Sequence, residues 1–277
     1  MQIFKTKSDL SSSLSSLADS LIGFVPTMGA LHNGHLELLR QAKKQCSVVV
    51  CSIFVNPTQF SNKEDFNSYP NTLSDDITKL EKINCDVLYV PDVSDLYTID
   101  EKTKHFNLNG LDNVMEGKFR KGHFDGVATI IEKFFNVIRP HKAYFGQKDL
   151  QQILVVKSLT KQLNLPIEII SVPTIREENG LAMSSRNKLL SPKQIETASM
   201  LYKSLKFCKT NKDKFSITNL KNCIKIQFSE QLEVDLEYLE FVDANNLQNI
   251  SFFQENNNAI CIAAYLGGVR LIDNIIF

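Results

Sequence analysis

The feature that most restricts the fold of this chain is a pair of short apolar runs separated by a helical pattern near its start. Leu21-Ile22-Gly23-Phe24-Val25-Pro26 reads as a buried strand, and Ser47 to Phe54 (SVVVCSIF) as a second. Between them, from Gly34, the apolar residues Leu36, Leu38, Leu39 and Ala42 follow helical spacing. A strand, a helix and a strand in that order require a parallel pair joined by a right-handed crossover. Such a sheet must then be covered by helices.

The alternation continues along the chain. Further strands are predicted over 86–90, 143–145 and 167–172, and helices over 73–83, 124–138 and 149–163. The serine-rich start is read as an amphipathic helix, because Leu10, Leu14, Leu17 and Leu21 recur at helical spacing. The expected class is α/β, a Rossmann-like doubly wound parallel sheet. After about Thr174 the pattern changes to a polar helical region followed by strands over 236–242 and 259–264. A smaller C-terminal α+β domain is therefore expected, dividing the chain into 1–174 and 175–277. The Asn-rich stretch 255–258 reads as a turn between strands.

With 31 basic and 31 acidic residues, the chain carries no charge excess that would favour nucleic acid or an anionic membrane. No apolar run approaches the roughly 20 residues of a membrane span, and the N-terminus lacks the basic-then-apolar design of a secretory leader. The six cysteines contain no CxxC pair and sit mostly beside apolar residues, which predicts free buried thiols in a reducing cytoplasm.

Chemistry-bearing residues gather where predicted strands end. Thr27-Met28-Gly29-Ala30-Leu31-His32-Asn33-Gly34-His35 forms the first strand-to-helix loop, at the carboxyl edge where such sheets bind ligands. Its glycines allow close approach of an anion, and the helix start offers unpaired N–H groups. His32 and His35, three apart, would donate to phosphoryl oxygens; alternatively they merely cap the helix. A metal reading is weaker, since no third His or Cys is near and H-E-x-x-H spacing is absent.

Past the next strand, Asn56 and Gln59 in Phe54-Val55-Asn56-Pro57-Thr58-Gln59-Phe60 offer amides to a small polar substrate, although Asn-Pro is also an ordinary turn signal. In Phe145-Gly146-Gln147-Lys148-Asp149-Leu150-Gln151-Gln152, a glycine allows a close turn, Lys148 is a cation suited to phosphate, Asp149 is equally a helix N-cap, and Gln152 lies one turn on. Gly180 to Asn187 (GLAMSSRN), preceded by Arg176, places two hydroxyls before an arginine in a loop suited to wrapping phosphates and closing over a nucleotide. Arg120 and His123 precede a helix, where capping explains much of their placement.

Taken together, PTMGALHNGH (26–35), FVNPTQF (54–60), YPNTLSDD (69–76), EGKFRKGHFDGV (116–127), FGQKDLQQ (145–152), GLAMSSRN (180–187) and the ending AAYLGGVRLIDN (263–274) resemble the pantothenate synthetase (pantoate–β-alanine ligase) family, in the family's order and over most of the chain. H-x-G-H alone marks only the wider nucleotidylyltransferase superfamily. The resemblance implies a cytoplasmic homodimeric ligase of the coenzyme A pathway, with a catalytic N-terminal domain and a C-terminal lid. It acts on pantoate, β-alanine and Mg²⁺-ATP through pantoyl adenylate, with no covalent enzyme intermediate.

Residue by residue, the resemblance assigns His32, His35 and Lys148 to the phosphates and the transition state, and Ser184, Ser185 and Arg186 to the triphosphate. Met28, Gly146, Asp149, Ile175 and Met183 are implied around ATP, with Gly146 and Asp149 by the ribose. Gln59 and Gln152 are implied to hydrogen-bond pantoate, with Met28 near its methyl groups. Asn56, with Gln59, is implied near the meeting point of phosphate and amine, and Asp76, with Asp75 as a second candidate, in the magnesium shell, directly or through water. The competing readings are a nucleotidylyltransferase that leaves AMP on a phosphorylated substrate, and a catalytically dead nucleotide-binding regulator.

Overall fold

The structure is a computed structural model that describes residues 1–277 apart from Ala18, Ser61 and Asp100. The chain divides into two compact units, one of Met1–Gln147 with Gln151–Pro173 and one of Lys148–Leu150 with Thr174–Phe277. The three residues Lys148–Leu150 thus group with the C-terminal part although their flanks belong to the first unit.

Six strands build the first unit: β1 (Gln2–Phe4), β2 (Ile22–Thr27), β3 (Val48–Ile53), β4 (Val87–Tyr89), β5 (Lys142–Gly146) and β6 (Glu168–Val172). All pair in parallel, in the order β1-β4-β3-β2-β5-β6. From β2 the chain winds outward through β3 and β4, and from β5 it winds the other way to β6. The reversal falls between β2 and β5, and a crevice for ligands opens beyond the carboxyl ends of strands at such a point. The loop leaving β2 carries the histidines, and β5 ends on Gly146.

Strand β2 is apolar without alternation because both of its faces are covered. Val25 packs among Leu36, Leu39 and Ala42 of the helix Asn33–Gln45. Its neighbour Phe24 points to the other face by the strand's two-residue period, where its ring meets Phe134 edge-on at 5.5 Å. Phe134 and Phe135 belong to the helix His123–Ile138, whose buried stripe covers that face. The expected doubly wound sheet is therefore present.

The first helix differs from expectation. It spans Lys7–Ser15, capped by Thr6, whose hydroxyl accepts from the Asp9 N–H at 3.2 Å. Leu10 and Leu14 are buried as predicted, but Leu21 lies outside the helix and its carbonyl accepts from the N–H groups of Ser47 and Val48. The apolar spacing continued by chance into the lead of β2. Strand β1, only three residues long and partly exposed, has no periodic signal to read.

In the second unit, β7 (Val234–Asp243), β8 (Asn258–Leu266) and β9 (Val269–Ile276) form an antiparallel sheet in the order β7-β8-β9. Helices Met200–Thr210 and Ile217–Ser229 supply Leu201, Leu205, Leu220 and Ile224 to a core shared with Phe241 and Ile260. This is the smaller α+β part expected after Thr174. Asn258 opens β8 and is buried, its amide bonded to Gln254 and Phe277, so the Asn-rich tract ends in a structural residue.

All six cysteines are free, and all but Cys223 are buried. Burial holds Cys51 well above the ordinary thiol range, pushes Cys85 up to about 11 and Cys208 to about 12, so these three remain thiols. Among the described residues, no helix is long and apolar enough to cross a membrane.

Candidate active site

The loop after β2 is held from beneath. Gly29 and Ala30 both have positive φ, 84° and 50°, and this turns successive N–H groups of Ala30 and Leu31 toward the carboxylate of Asp76, each at 2.8 Å. Asp76 is fully buried and also accepts from the Thr72 hydroxyl at 3.2 Å, while Lys79 donates to the Leu31 carbonyl at 2.8 Å. A backbone concavity of this kind is an anion cradle, here filled by the protein's own carboxylate.

The two histidines follow directly. His32 is the N-cap of Asn33–Gln45: its Nδ1 accepts from the Gly34 N–H at 3.1 Å, while His35 Nδ1 accepts from the His32 N–H at 3.3 Å. Their ring centroids lie 4.0 Å apart. An Nδ1 that accepts carries no proton, so each ring is neutral with its proton on Nε2. Capping therefore uses Nδ1 of each ring and does not by itself exclude donation from Nε2.

The amide loop follows β3. Pro57–Gln59 is a single 3-10 turn, and Gln59 Nε2 donates to the Met28 sulfur at 2.8 Å, joining two residues implied for the same substrate. Asn56 lies beneath this pair. It is 1% exposed, and its amide donates to the Gly126 carbonyl (3.2 Å) and Gln59 Oε1 (3.3 Å) while accepting from Tyr97 (2.8 Å) and Thr58 (3.1 Å). An Asn amide has two donor and two acceptor positions, so all four are occupied. Asn56 thus sets the side chain of Gln59.

Asp76, implied for the magnesium shell, is likewise engaged inside the protein. Both Asp76 oxygens accept from the loop's N–H groups inside the protein, an arrangement that disfavours direct metal ligation by Asp76, while Asp75 is exposed on the first turn of Leu73–Lys82. Asp76 thus fits a support for the loop better than a direct metal ligand.

Gly146 ends β5, and a methyl group built there meets no atom within 4 Å. The protein itself leaves this space open. Gly146→Ala is accordingly expected to change stability by less than about 0.5 kcal/mol and to weaken ATP binding roughly tenfold through a clash confined to the ligand. Paired thermal melts and ATP titrations check this, and unchanged ATP affinity would detach Gly146 from the nucleotide.

Asp149 is exposed and closes the 3-10 turn Gln147–Asp149, after which the helix Leu150–Gln162 begins. Gln152 is half-buried in the first turn of that helix. Its neighbour Gln151 is buried and bonds Leu111, Val114 and Glu116, a structural use.

In the second unit, 176–182 forms a small hairpin: Arg176 bridges Ala182, and Gly180 has φ 94°. Ile175 and Met183 join through the Met183 N–H at 3.0 Å, and Lys148 Nζ donates to the Met183 carbonyl at 3.4 Å. Ser184 then caps the turn Ser185–Leu189, accepting from the Arg186 N–H at 3.3 Å, while Ser185 is buried. Lys148, Met183, Ser184, Ser185 and Arg186 thus belong to one local arrangement.

Four contributors, His123, Arg120, Gly126 and Tyr97, have weak sequence signals. His123 Nδ1 donates to the Gln59 carbonyl at 2.7 Å, and Arg120 donates to its Nε2 at 3.2 Å. Gly126 lies so close to the amide loop that a methyl group there would stand 2.4 Å from the Thr58 carbonyl oxygen. Burial raises the Tyr97 phenol and keeps it a proton donor to Asn56. G-H-F-D-G signals the helix start but carries no sign of the loop it clamps, and Tyr97 stands in no motif.

The sequence profile of the family described as pantoate-beta-alanine ligase matches residues 2–276. A pantothenate synthetase of Cytophaga hutchinsonii is 46% identical over 258 residues, covering 92% of this chain and 91% of that protein. The crystal structure of pantothenate synthetase from Thermus thermophilus superposes with a TM-score of 0.94 at 36% identity, covering 100% of this chain and 99% of that one. The pantoate-beta-alanine ligase of Francisella tularensis, described as complexed with beta-gamma ATP and beta-alanine, gives a TM-score of 0.81 at 37% identity, with coverage of 100% and 97%. By its profile, its close relatives and its fold, this chain belongs to the pantoate–β-alanine ligase family.

Proposed function

We propose that this chain condenses pantoate with β-alanine, using ATP, through pantoyl adenylate. A carboxylate oxygen of pantoate bonds to the α-phosphorus as the bond from that phosphorus to the β-bridging oxygen breaks, and pyrophosphate leaves. The amine of β-alanine then attacks the acyl carbon, loses a proton and displaces AMP.

The observation that carries the reading is the histidine pair. With both Nδ1 atoms engaged in capping, the Nε2–H groups are donors at a helix N-terminus that already favours phosphate. Lys148, Ser184, Ser185 and Arg186 are assigned to the triphosphate, which spreads the charge of the departing pyrophosphate over cations and hydroxyls. Met28, Ile175, Met183, Gly146 and Asp149 are assigned to the rest of ATP. Orientation and charge stabilisation suffice for both steps. The same reading includes residues 1–174 as the catalytic part and 175–277 as a lid, a cytoplasmic homodimer, and Mg²⁺ as the ion that would offset the triphosphate charge, with exposed Asp75 the nearer candidate to touch its water shell. Light scattering at the mass of one chain would remove the dimer.

Pantoate-dependent ATP–pyrophosphate exchange, with AMP released only after β-alanine is added, tests the reaction. Exchange indifferent to pantoate would return the chain to the alternative of a nucleotidylyltransferase with another substrate. Gln59→Ala and Gln152→Ala are expected to raise the Kd for pantoate by about tenfold or more, because polar groups of the bound acid lose their partners. Unchanged pantoate affinity with weakened ATP binding would reverse that assignment.

A further inference from the structure

The ending Leu271-Ile272-Asp273-Asn274 of β9 has no assigned part in either chemical step, yet it reaches the residues given to the triphosphate. Asn274 is 3% exposed, and its side-chain amide donates to the main-chain carbonyl of Lys148 at 2.8 Å. Its own backbone N–H donates to Asp273 Oδ1 at 2.7 Å. Asp273, 4% exposed, receives the Arg176 guanidinium as a fork, at 2.6 Å and 3.0 Å. The same guanidinium donates to the carbonyls of Gly180 (3.1 Å) and Asn274 (3.4 Å) and lies 3.6 Å from the centre of the Tyr202 ring. One connected set of bonds thus runs from Lys148 through β9 to the hairpin that precedes Ser184.

We propose that Asn274, backed by the Asp273–Arg176 pair, is a positioning residue for adenylation. It holds the main chain at Lys148 in register with the loop bearing Ser184, Ser185 and Arg186. The inference rests on the assignment of Lys148 to the phosphates. A lysine carries its charge on a flexible four-carbon stem, so where that charge can act depends on where the main chain is held. Lys148 stands in a single 3-10 turn, and the stretch Lys148–Leu150 groups with the second unit and not with its chain neighbours. The Asn274 amide is a side-chain contact on its backbone there, while the bond from Nζ to the Met183 carbonyl orients the other end. Such support behind a ligand-binding group is what preorganisation requires.

A double-mutant cycle on the full-length enzyme separates positioning from general support of the fold. Single-turnover adenylate formation from pantoate and ATP is measured for Asn274→Ala, for Lys148→Ala and for the pair. Asn274→Ala is expected to slow the step about tenfold by misplacing a reacting group, and by less than about twofold when Lys148 is already alanine. A wild-type rate in Asn274→Ala overturns the proposal, and so does an equal loss in both backgrounds. A wild-type rate in Lys148→Ala removes the lysine's own role, an outcome distinct from additivity. Should Asn274→Ala unfold, Asn274→Asp keeps the shape, sets an acceptor against the Lys148 carbonyl, and is read by the same criteria.

Discussion

Replacing Lys148 with alanine is expected to slow pantoyl-adenylate formation by more than about a hundredfold, the loss typical of removing a donor aimed at developing charge. As pyrophosphate departs, negative charge accumulates on the β- and γ-phosphates, and a compact ammonium is the strongest neutralising group the motif FGQKDLQQ provides. Lys148 is half-buried, which lowers the effective dielectric around its charge. The pantoate Kd should remain close to that of the wild type. Rapid-quench measurement of adenylate, beside pantoate titration, checks both statements. A near-normal single-turnover rate would exclude the lysine from the transition state. Arginine is not expected to restore the rate, since a planar fork does not occupy the place of a point charge.

Asp76→Ala is expected to destabilise the first unit by on the order of 3 kcal/mol, because two backbone N–H groups and a threonine hydroxyl lose their acceptor inside the protein. Adenylation should fall with stability, since Ala30 and Leu31 lead directly into the His32 cap. Asp76→Asn keeps one acceptor oxygen but turns an NH₂ group toward an N–H, so it should be destabilised nearly as much. Thermal unfolding together with the Mg²⁺ dependence of exchange decides the matter. An unchanged melting temperature with a raised Mg²⁺ requirement would restore Asp76 to the metal shell.

The same carboxylate shows where reading the sequence stops. YPNTLSDD marks Asp76 as part of a family pattern, but its partners are 45 and 46 residues away in the chain. Asn56 was legible as an amide beside a strand end, whereas its saturation depends on Tyr97 and Gly126, 41 and 70 residues on. His32 and His35 were legible as helix caps, because capping is local.

Sequence by itself determined the strand and helix alternation, the polar loops at strand ends, the separate character of the C-terminal part, and a set of motifs complete enough to identify the family. Each of these is written in residues close together in the chain, where period, turn chemistry and capping operate. Tertiary structure alone decided the strand order with its reversal between β2 and β5, the use of Asp76 and Asn56 as supports, the clamp of His123 and Gly126 on the amide loop, and the link from Asn274 to Lys148. These depend on which distant segments share a buried space, where each polar group must find a partner.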